Sequence, residues 1–354
     1  MKIAVLFGGI SPERNVSITG GKAVVKALRA KGHDVLPIDP AFGIKGLMTE
    51  EELASPESYP SVDELAQYST KNLIDCINSD IFDGVDVAFL VLHGQNGEDG
   101  KIQALLELRG IPYTGSNVKA SSVAIDKIAS KVLFSAAGIA TPPWVTVRKK
   151  DFGNYDLYKD IRNELGDHLV IKPNDQGSTI GITIIDSGNL DDIHDAVIIA
   201  KDFSDTVIVE KYIEGYEITV GIIGGEVLPI IEIIPEDGFY DYKHKYTKGQ
   251  TQYICPAELS PDIEEFTQNM ALSAFQIIGC SGIGRADFRL DDEGQPFLLE
   301  INTIPGFTET SLVPMAAKEV GIEFGDLCER IINIALGLEE EKEVEDVEEL
   351  KDED

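Results

Sequence analysis

The 354-residue sequence is poor in cysteine, short of positive charge and without any long apolar run, and each shortage removes a class of protein. Its four cysteines, Cys76, Cys255, Cys280 and Cys328, lie far apart and form no C-x-x-C pair. A disulfide framework or a zinc site is therefore not expected; reduced thiols in a cytoplasmic protein are. Thirty lysines and arginines stand against 62 acids, a formal charge of −32. Phosphate backbones and anionic membrane surfaces would be repelled at long range, so neither nucleic acid nor a membrane is an expected partner. A phosphate ligand would have to be held by local cations. The apolar start, Ile3 to Phe7, breaks at Gly8-Gly9, too short for a signal-peptide core or a bilayer span.

What is present suffices for several cores. The length exceeds one ordinary core, and a hydrophobic share of 43% can fill two or three packed domains. A strand at 1–7, a turn at 8–14, a helix over 16–30 and a strand at 35–38 read as a βαβ unit. A second apolar strand at 85–92 and a helix over 100–109 complete a small parallel α/β domain, 1–117, with a surface excursion about 40–83 that holds a short helix near Thr49. A central domain, 118–211, follows, with one helix through Ala137 and strands at 144–147, 168–172, 183–185 and 207–211. In the third, 212–338, strands at 217–223, 227–234, 284–290 and 296–301 accompany helices over 261–278, 312–320 and 324–336. Residues 339–354 hold eleven acids against Lys342 and Lys351 and read as a solvated, disordered tail.

Four segments could carry chemistry. Gly8-Gly9-Ile10-Ser11-Pro12-Glu13-Arg14 is a strand-to-helix turn without the G-x-G-x-x-G spacing of a dinucleotide site. Glu13 could favour its helix start or hold a substrate ammonium. His93-Gly94-Gln95-Asn96-Gly97-Glu98-Asp99-Gly100 follows an apolar strand, where open α/β sheets place ligand crevices; Glu98 or Asp99 could equally serve the next helix start. Lys172 leaves a strand into Pro173-Asn174-Asp175-Gln176-Gly177-Ser178-Thr179-Ile180-Gly181, the reverse of P-loop order, so it is either a phosphate-covering loop or a plain turn beside a surface lysine. In the fourth, residues two apart on a strand share a face, which groups Arg285 with Asp287 and Glu300 with Asn302. Three oxygen donors on adjacent strands suit Mg²⁺, and a salt bridge from Arg285 is the structural alternative. Unpartnered acids inside apolar strands would cost several kcal/mol each, roughly, which favours the metal.

In order, LFGGISPERNVS, LVLHGQNGEDG, LRGIPYTGS, AIDKIASK, VIKPNDQGSTIG, FYDYKHKY, GRADF and LLEINTIPGFTETSLVPMAAKEVGI resemble the D-alanine–D-alanine ligase family of the ATP-grasp superfamily, from Lys2 to about Leu336. The resemblance implies an α/β protein, α+β in its ATP-binding part, with the ATP-grasp fold. It implies ATP as substrate, two Mg²⁺ ions for which Mn²⁺ can substitute, D-alanine as the amino acid, a homodimer, and a place in peptidoglycan precursor synthesis. By position it makes Lys127 and Lys172 the nucleotide-phosphate lysines, sets Glu210 and Lys211 beside the adenine and Glu217 near the ribose, and lays the loop around Ser178 over the γ-phosphate. Asp287, Glu300 and Asn302 would hold the metal. Arg285 would stabilise charge on the first substrate's oxygens, while Glu13 would grip its ammonium, with His93 nearby. Gly306, Ser311 and Leu312 would position the second D-alanine. Tyr240, Lys245 and Tyr246 belong to a lid about 236–252, and Tyr at position 246 accompanies relatives that use an amine rather than a hydroxy acid. Sister ligases that join D-alanine to D-lactate or D-serine would share the nucleotide half. A nucleotide-binding regulatory protein without turnover would not need the whole metal-and-cation set.

Overall fold

The computed structural model describes residues 1–55, 64, 67–235 and 251–342. At the N-terminus β1 (Lys2–Leu6), β2 (Asp34–Ile38) and β3 (Val87–Leu90) form a parallel sheet in the order β2-β1-β3. Strands covered on both faces need continuous apolar runs rather than alternation, and Ile3 to Leu6 and Val87 to Leu90 are buried throughout. One face meets the helix Arg14–Ala30 through Ile18, Val24, Val25 and Leu28. The other is covered by the helices Thr70–Ile77 and Lys101–Arg109 through Leu73, Ile77, Ile102 and Leu106. The excursion thus contributes to the core, because its helix Thr70–Ile77 closes one side of the sheet. At eight residues, about two turns, that helix is too short to stand out in the sequence despite its apolar face. The short helix expected near Thr49 is present as Glu50–Ala54, with Thr49 and Glu52 capping each other.

The central sheet contains β4 (Trp144–Arg148), β5 (Leu169–Pro173), β6 (Thr183–Ile185) and β7 (Thr206–Lys211) in the antiparallel order β4-β7-β5-β6. It is backed by Tyr155–Leu165 and Leu190–Ala200, whose Tyr158, Ile161, Ile193 and Val197 fill its core. The single helix expected over 118–137 is two, Val118–Ile125 and Lys127–Ala136. Asp126 breaks it: the residue is extended, and its carboxylate accepts from Ala129 N at 2.9 Å and from the Asn174 amide at 2.9 Å. Both helices bury Ala120, Ala124 and Phe134 in the core of the third sheet.

That sheet is antiparallel, with β8 (Tyr216–Ile223), β9 (Glu226–Val227), β10 (Ile231–Pro235), β11 (Thr251–Ile254), β12 (Ile283–Leu290) and β13 (Pro296–Asn302). Its order is β11-β10-β8-β12-β13, with β9 also on β8. The strand expected over 227–234 is divided because β9 pairs the end of β8 and β10 its beginning. The helix Pro261–Ile278 starts on a Ser260 cap with Pro261 in its first turn, and covers one face. Leu312–Glu319 and Phe324–Ala335 take the other face and share a core with the N-terminal sheet, joining Val313, Leu327 and Ile331 to Val24, Leu28 and Phe89. This common core brings the N-terminal loops against β12 and β13.

The acidic segment from 339 departs from the expected free tail at its start. Arg330 Nε donates to Glu339 at 2.6 Å, Gly282 N donates to the Glu341 carboxylate at 3.1 Å, and Lys342 N donates to Gly224 O at 2.9 Å. The tail's later residues lie outside those described.

Candidate active site

Glu13 stands just before the helix Arg14–Ala30, yet its side chain makes no capping bond. The carboxylate turns toward the central domain, where the Ser178 hydroxyl donates to Oε1. Two glycines make room for it. A Cβ on Gly94 would fall 2.6 Å from Glu13 Oε2, and one on Gly177 3.1 Å from the same oxygen. Ser178 and Thr179 hold φ of 48° and 59°, the left-handed region that non-glycine residues adopt at a cost of about 1–3 kcal/mol. The loop after β5 is thus bent onto Glu13.

The segment after β3 divides its acids between two tasks. Asp99 serves the helix start, accepting from Asn96 N at 3.0 Å and Lys101 N at 3.2 Å. Glu98 turns inward and accepts from Gly94 N at 2.6 Å. Burial and then the neighbouring Glu13 carboxylate push it well above the usual carboxylate range. His93 is buried, and burial followed by the Arg285 charge lowers it to about 4. A neutral imidazole is its resting form.

Lys172 is not a surface lysine beside a plain turn. Its ammonium is buried 2.8 Å from Glu210 Oε2. Glu210, expected on the wall of an adenine pocket, is itself in the interior, its other oxygen 3.0 Å from Lys131 Nζ. Lys127 spans two sheets, donating to Gln176 O at 2.7 Å and lying 3.0 Å from Glu300 Oε2. Burial lowers its affinity for a proton, but Glu300, Glu210 and Glu98 together outweigh it, so the ammonium is raised overall.

On the third sheet, Asp287 faces Glu300 and Arg285 faces Asn302 in register across β12 and β13. The salt bridge weighed against a metal is present: Arg285 grips Asp287 with Nε at 2.8 Å and Nη2 at 2.7 Å, and Thr219 donates to Asp287 at 2.6 Å. Asn302 Oδ1 accepts from Ile304 N at 3.0 Å. Two carboxylates and an amide oxygen fit a hard cation that keeps waters and phosphate oxygens as its other ligands. Among the described residues no three or more His, Cys, Asp or Glu are grouped to hold a metal ion, here or elsewhere, so an amide oxygen is the third donor of this set. Past β13, Ser311 Oγ accepts from Thr308 N at 2.9 Å and lies 3.6 Å from where a Cβ on Gly306 would stand, with Leu312 buried next to it. Lys211 ends β7 with its side chain outward, and Glu217 lies in β8 opposite Ile233 and Arg289. Tyr240, Lys245 and Tyr246 lie outside the described residues.

The sequence reading misses Lys131, although AIDKIASK displays it one helical turn after Lys127, the spacing that puts two lysines on one face. Thr219 carried no signal; its role exists only through strand pairing.

A parallel α/β domain set against two antiparallel sheets, with lysines and an arginine meeting carboxylates between them, defines an ATP-grasp protein. The family profile for the D-ala D-ala ligase N-terminus matches residues 2–116, and that for its C-terminus residues 133–333. The D-alanine–D-alanine ligase of Syntrophotalea carbinolica is 43% identical over 338 residues, covering 94% of this chain and 95% of that protein. Among solved structures, the D-alanine–D-alanine ligase of Bacillus anthracis complexed with ATP is 31% identical, with a TM-score of 0.72 over 96% of this chain and 98% of that one. VanG D-Ala:D-Ser ligase of Enterococcus faecalis is 30% identical, with a TM-score of 0.74 over 94% of this chain and 99% of that one. The chain belongs to the D-alanine–D-alanine ligase family.

Proposed function

We propose that this protein joins two D-alanine molecules at the expense of ATP, supplying D-alanyl-D-alanine for peptidoglycan precursors. The observation that carries the reading is the convergence of Lys127, Lys172 and Arg285 with Asp287, Glu300 and Asn302, beside a Glu13 tied to the Ser178 loop. Glu13 is the partner for the first D-alanine's ammonium, with neutral His93 close by. Arg285 stabilises charge building on that substrate's carboxylate oxygens as ATP transfers its terminal phosphoryl group to it. The amine of the second D-alanine, positioned by Gly306, Ser311 and Leu312, attacks the acyl phosphate and releases phosphate. Both steps build negative charge, so cations set in place beforehand contribute most of the acceleration. Lys127 and Lys172 hold the nucleotide phosphates, Ser178 covers the terminal one, Glu210 and Lys211 lie toward the adenine, and Glu217 toward the ribose. Asp287, Glu300 and Asn302 would hold two Mg²⁺ ions, which shield the phosphate charge when bound. Tyr240, Lys245 and Tyr246 lie outside the described residues; the resemblance assigns them to a lid, which would keep water from the acyl phosphate. The protein acts in the cytoplasm as a homodimer.

The likeness to a D-Ala:D-Ser ligase makes the second substrate the point to test. Phosphate release is measured with D-alanine alone and with D-alanine plus D-lactate or D-serine, and products are identified by mass. D-alanyl-D-alanine is expected as the main product; preference for D-lactate or D-serine would reassign the enzyme within its family.

A further inference from the structure

The reaction as described uses Lys172 but leaves its buried neighbour Lys131 without a task. Lys131 has no solvent exposure, and its ammonium donates to the Thr141 hydroxyl and to Pro142 O at 3.2 Å. It also lies 5.3 Å from the centre of the Trp144 ring. These contacts fix it to the chain entering β4, whose Trp144 pairs with Glu210 of β7. Glu210 is shared: Oε1 is 3.0 Å from Lys131 and Oε2 is 2.8 Å from Lys172. Among the described groups Oε1 has no aligned hydrogen bond, so Lys131 holds it through charge. Burial lowers the Lys131 ammonium to about 8, against the pull of Glu210, which leaves it charged at neutral pH.

A lone Lys172–Glu210 pair would be neutral, and a buried carboxylate with one counter-ion would compete with any phosphate for that ammonium. Two lysines around one glutamate leave a net positive charge. We propose that Lys131 is a positioning residue for the nucleotide: by engaging Glu210 from the far side, it keeps that carboxylate from neutralising Lys172. The proposal rests on the nucleotide reading of the site. It makes Lys131 act through Glu210 rather than through packing, and it concerns nucleotide, not D-alanine.

The test is a double-mutant cycle of Lys131→Met and Glu210→Gln in the full-length protein. Binding of a non-hydrolysable ATP analogue with Mg²⁺ is followed by calorimetry and by emission of Trp144, the one tryptophan of the chain. Lys131→Met alone should weaken binding about tenfold or more, as expected when Glu210 is left free to pair with Lys172 alone in a partly screened interior. In the Glu210→Gln background the same change should weaken it by less than about threefold, since no carboxylate remains to be restrained. In turnover, KM for ATP should rise while KM for D-alanine stays within about twofold of wild type. Equal losses in both backgrounds, or equal rises in both KM values, would overturn the proposal. Should Lys131→Met alone fail to fold, the Glu210→Gln background still decides, because a tenfold loss there would refute action through Glu210. If the wild type binds no adenine nucleotide, the reading of the site fails along with it; if it binds and Lys131→Met binds equally well, the inference alone fails.

Discussion

At the scale of single residues, Glu300 is the position where loss of charge should matter most. It faces Asp287 across the strands and lies 3.0 Å from Lys127. Glu300→Gln keeps the shape and removes the charge, so turnover should fall below about a hundredth of wild type while far-UV circular dichroism is unchanged. Near-normal turnover would refute its place in the metal site. His93 sets a pH dependence of stability whose sign follows from its lowered value. Its proton affinity is lower folded, about 4, than unfolded, 6.5, so its contribution is complete above pH 6.5 and is lost as pH falls from 6.5 toward 4. The loss is up to about 3 kcal/mol by pH 4. In urea unfolding, His93→Gln should flatten that part of the profile; an identical slope would show that His93 does not cause it.

At the scale of elements, the start of the acidic segment fastens the hairpin between β8 and β9. Arg330 joins Glu226 at 2.9 Å and Glu339 at 2.6 Å, Lys342 joins Glu226 at 2.7 Å, and two backbone N–H bonds involve Gly282 and Gly224. The ion pairs are partly exposed, so screening reduces their worth and the backbone bonds matter more. Truncation after Lys342 should leave melting temperature and turnover unchanged. Truncation after Leu338 should lower stability by about 1–2 kcal/mol with turnover retained at 25 °C. Equal melting temperatures for the two truncations would show that residues 339–342 fasten nothing. The elements themselves were largely legible. The helix Pro261–Ile278 follows from Ser260, Pro261 and a long amphipathic stripe, and β1 from an unbroken apolar run. Thr70–Ile77 was not, because its apolar face spans only about two turns. The break at Asp126 was not either, since it depends on an Asn174 that lies far along the chain.

At the scale of the whole molecule, the candidate site is assembled where the parts built on the three sheets meet. Glu13, after the N-terminal sheet's first strand, is tied to Ser178 in the loop after β5, and Lys127 reaches Glu300 of β13. Tyr246 lies outside the described residues, and the sequence resemblance makes Tyr at this position the mark of relatives that use an amine rather than a hydroxy acid. Tyr246→Phe should therefore raise the share of D-alanyl-D-lactate in a competition assay with both nucleophiles. One neutral hydrogen bond, roughly 0.5–1.5 kcal/mol, corresponds to about a two- to tenfold change in product ratio. An unchanged ratio would remove Tyr246 from the choice of nucleophile.

The sequence by itself determined the local parts: apolar runs for strands, capped stripes for helices, glycine turns after strands, and the alternation that sets Arg285 with Asp287 and Glu300 with Asn302. Those features depend on neighbours in the chain and are written in its order. Only the tertiary structure decided which charges share a burial. Asp99 and Glu98 are adjacent in sequence, yet one serves a helix start and the other is driven toward its neutral form by enclosure beside Glu13. Lys131 and Glu210 look unremarkable 79 positions apart, and become a charge-sharing trio with Lys172 because the antiparallel pairing of β5 and β7 sets Lys172 beside that strand. The strength of a charge depends on what surrounds it, and surroundings are assembled from distant segments.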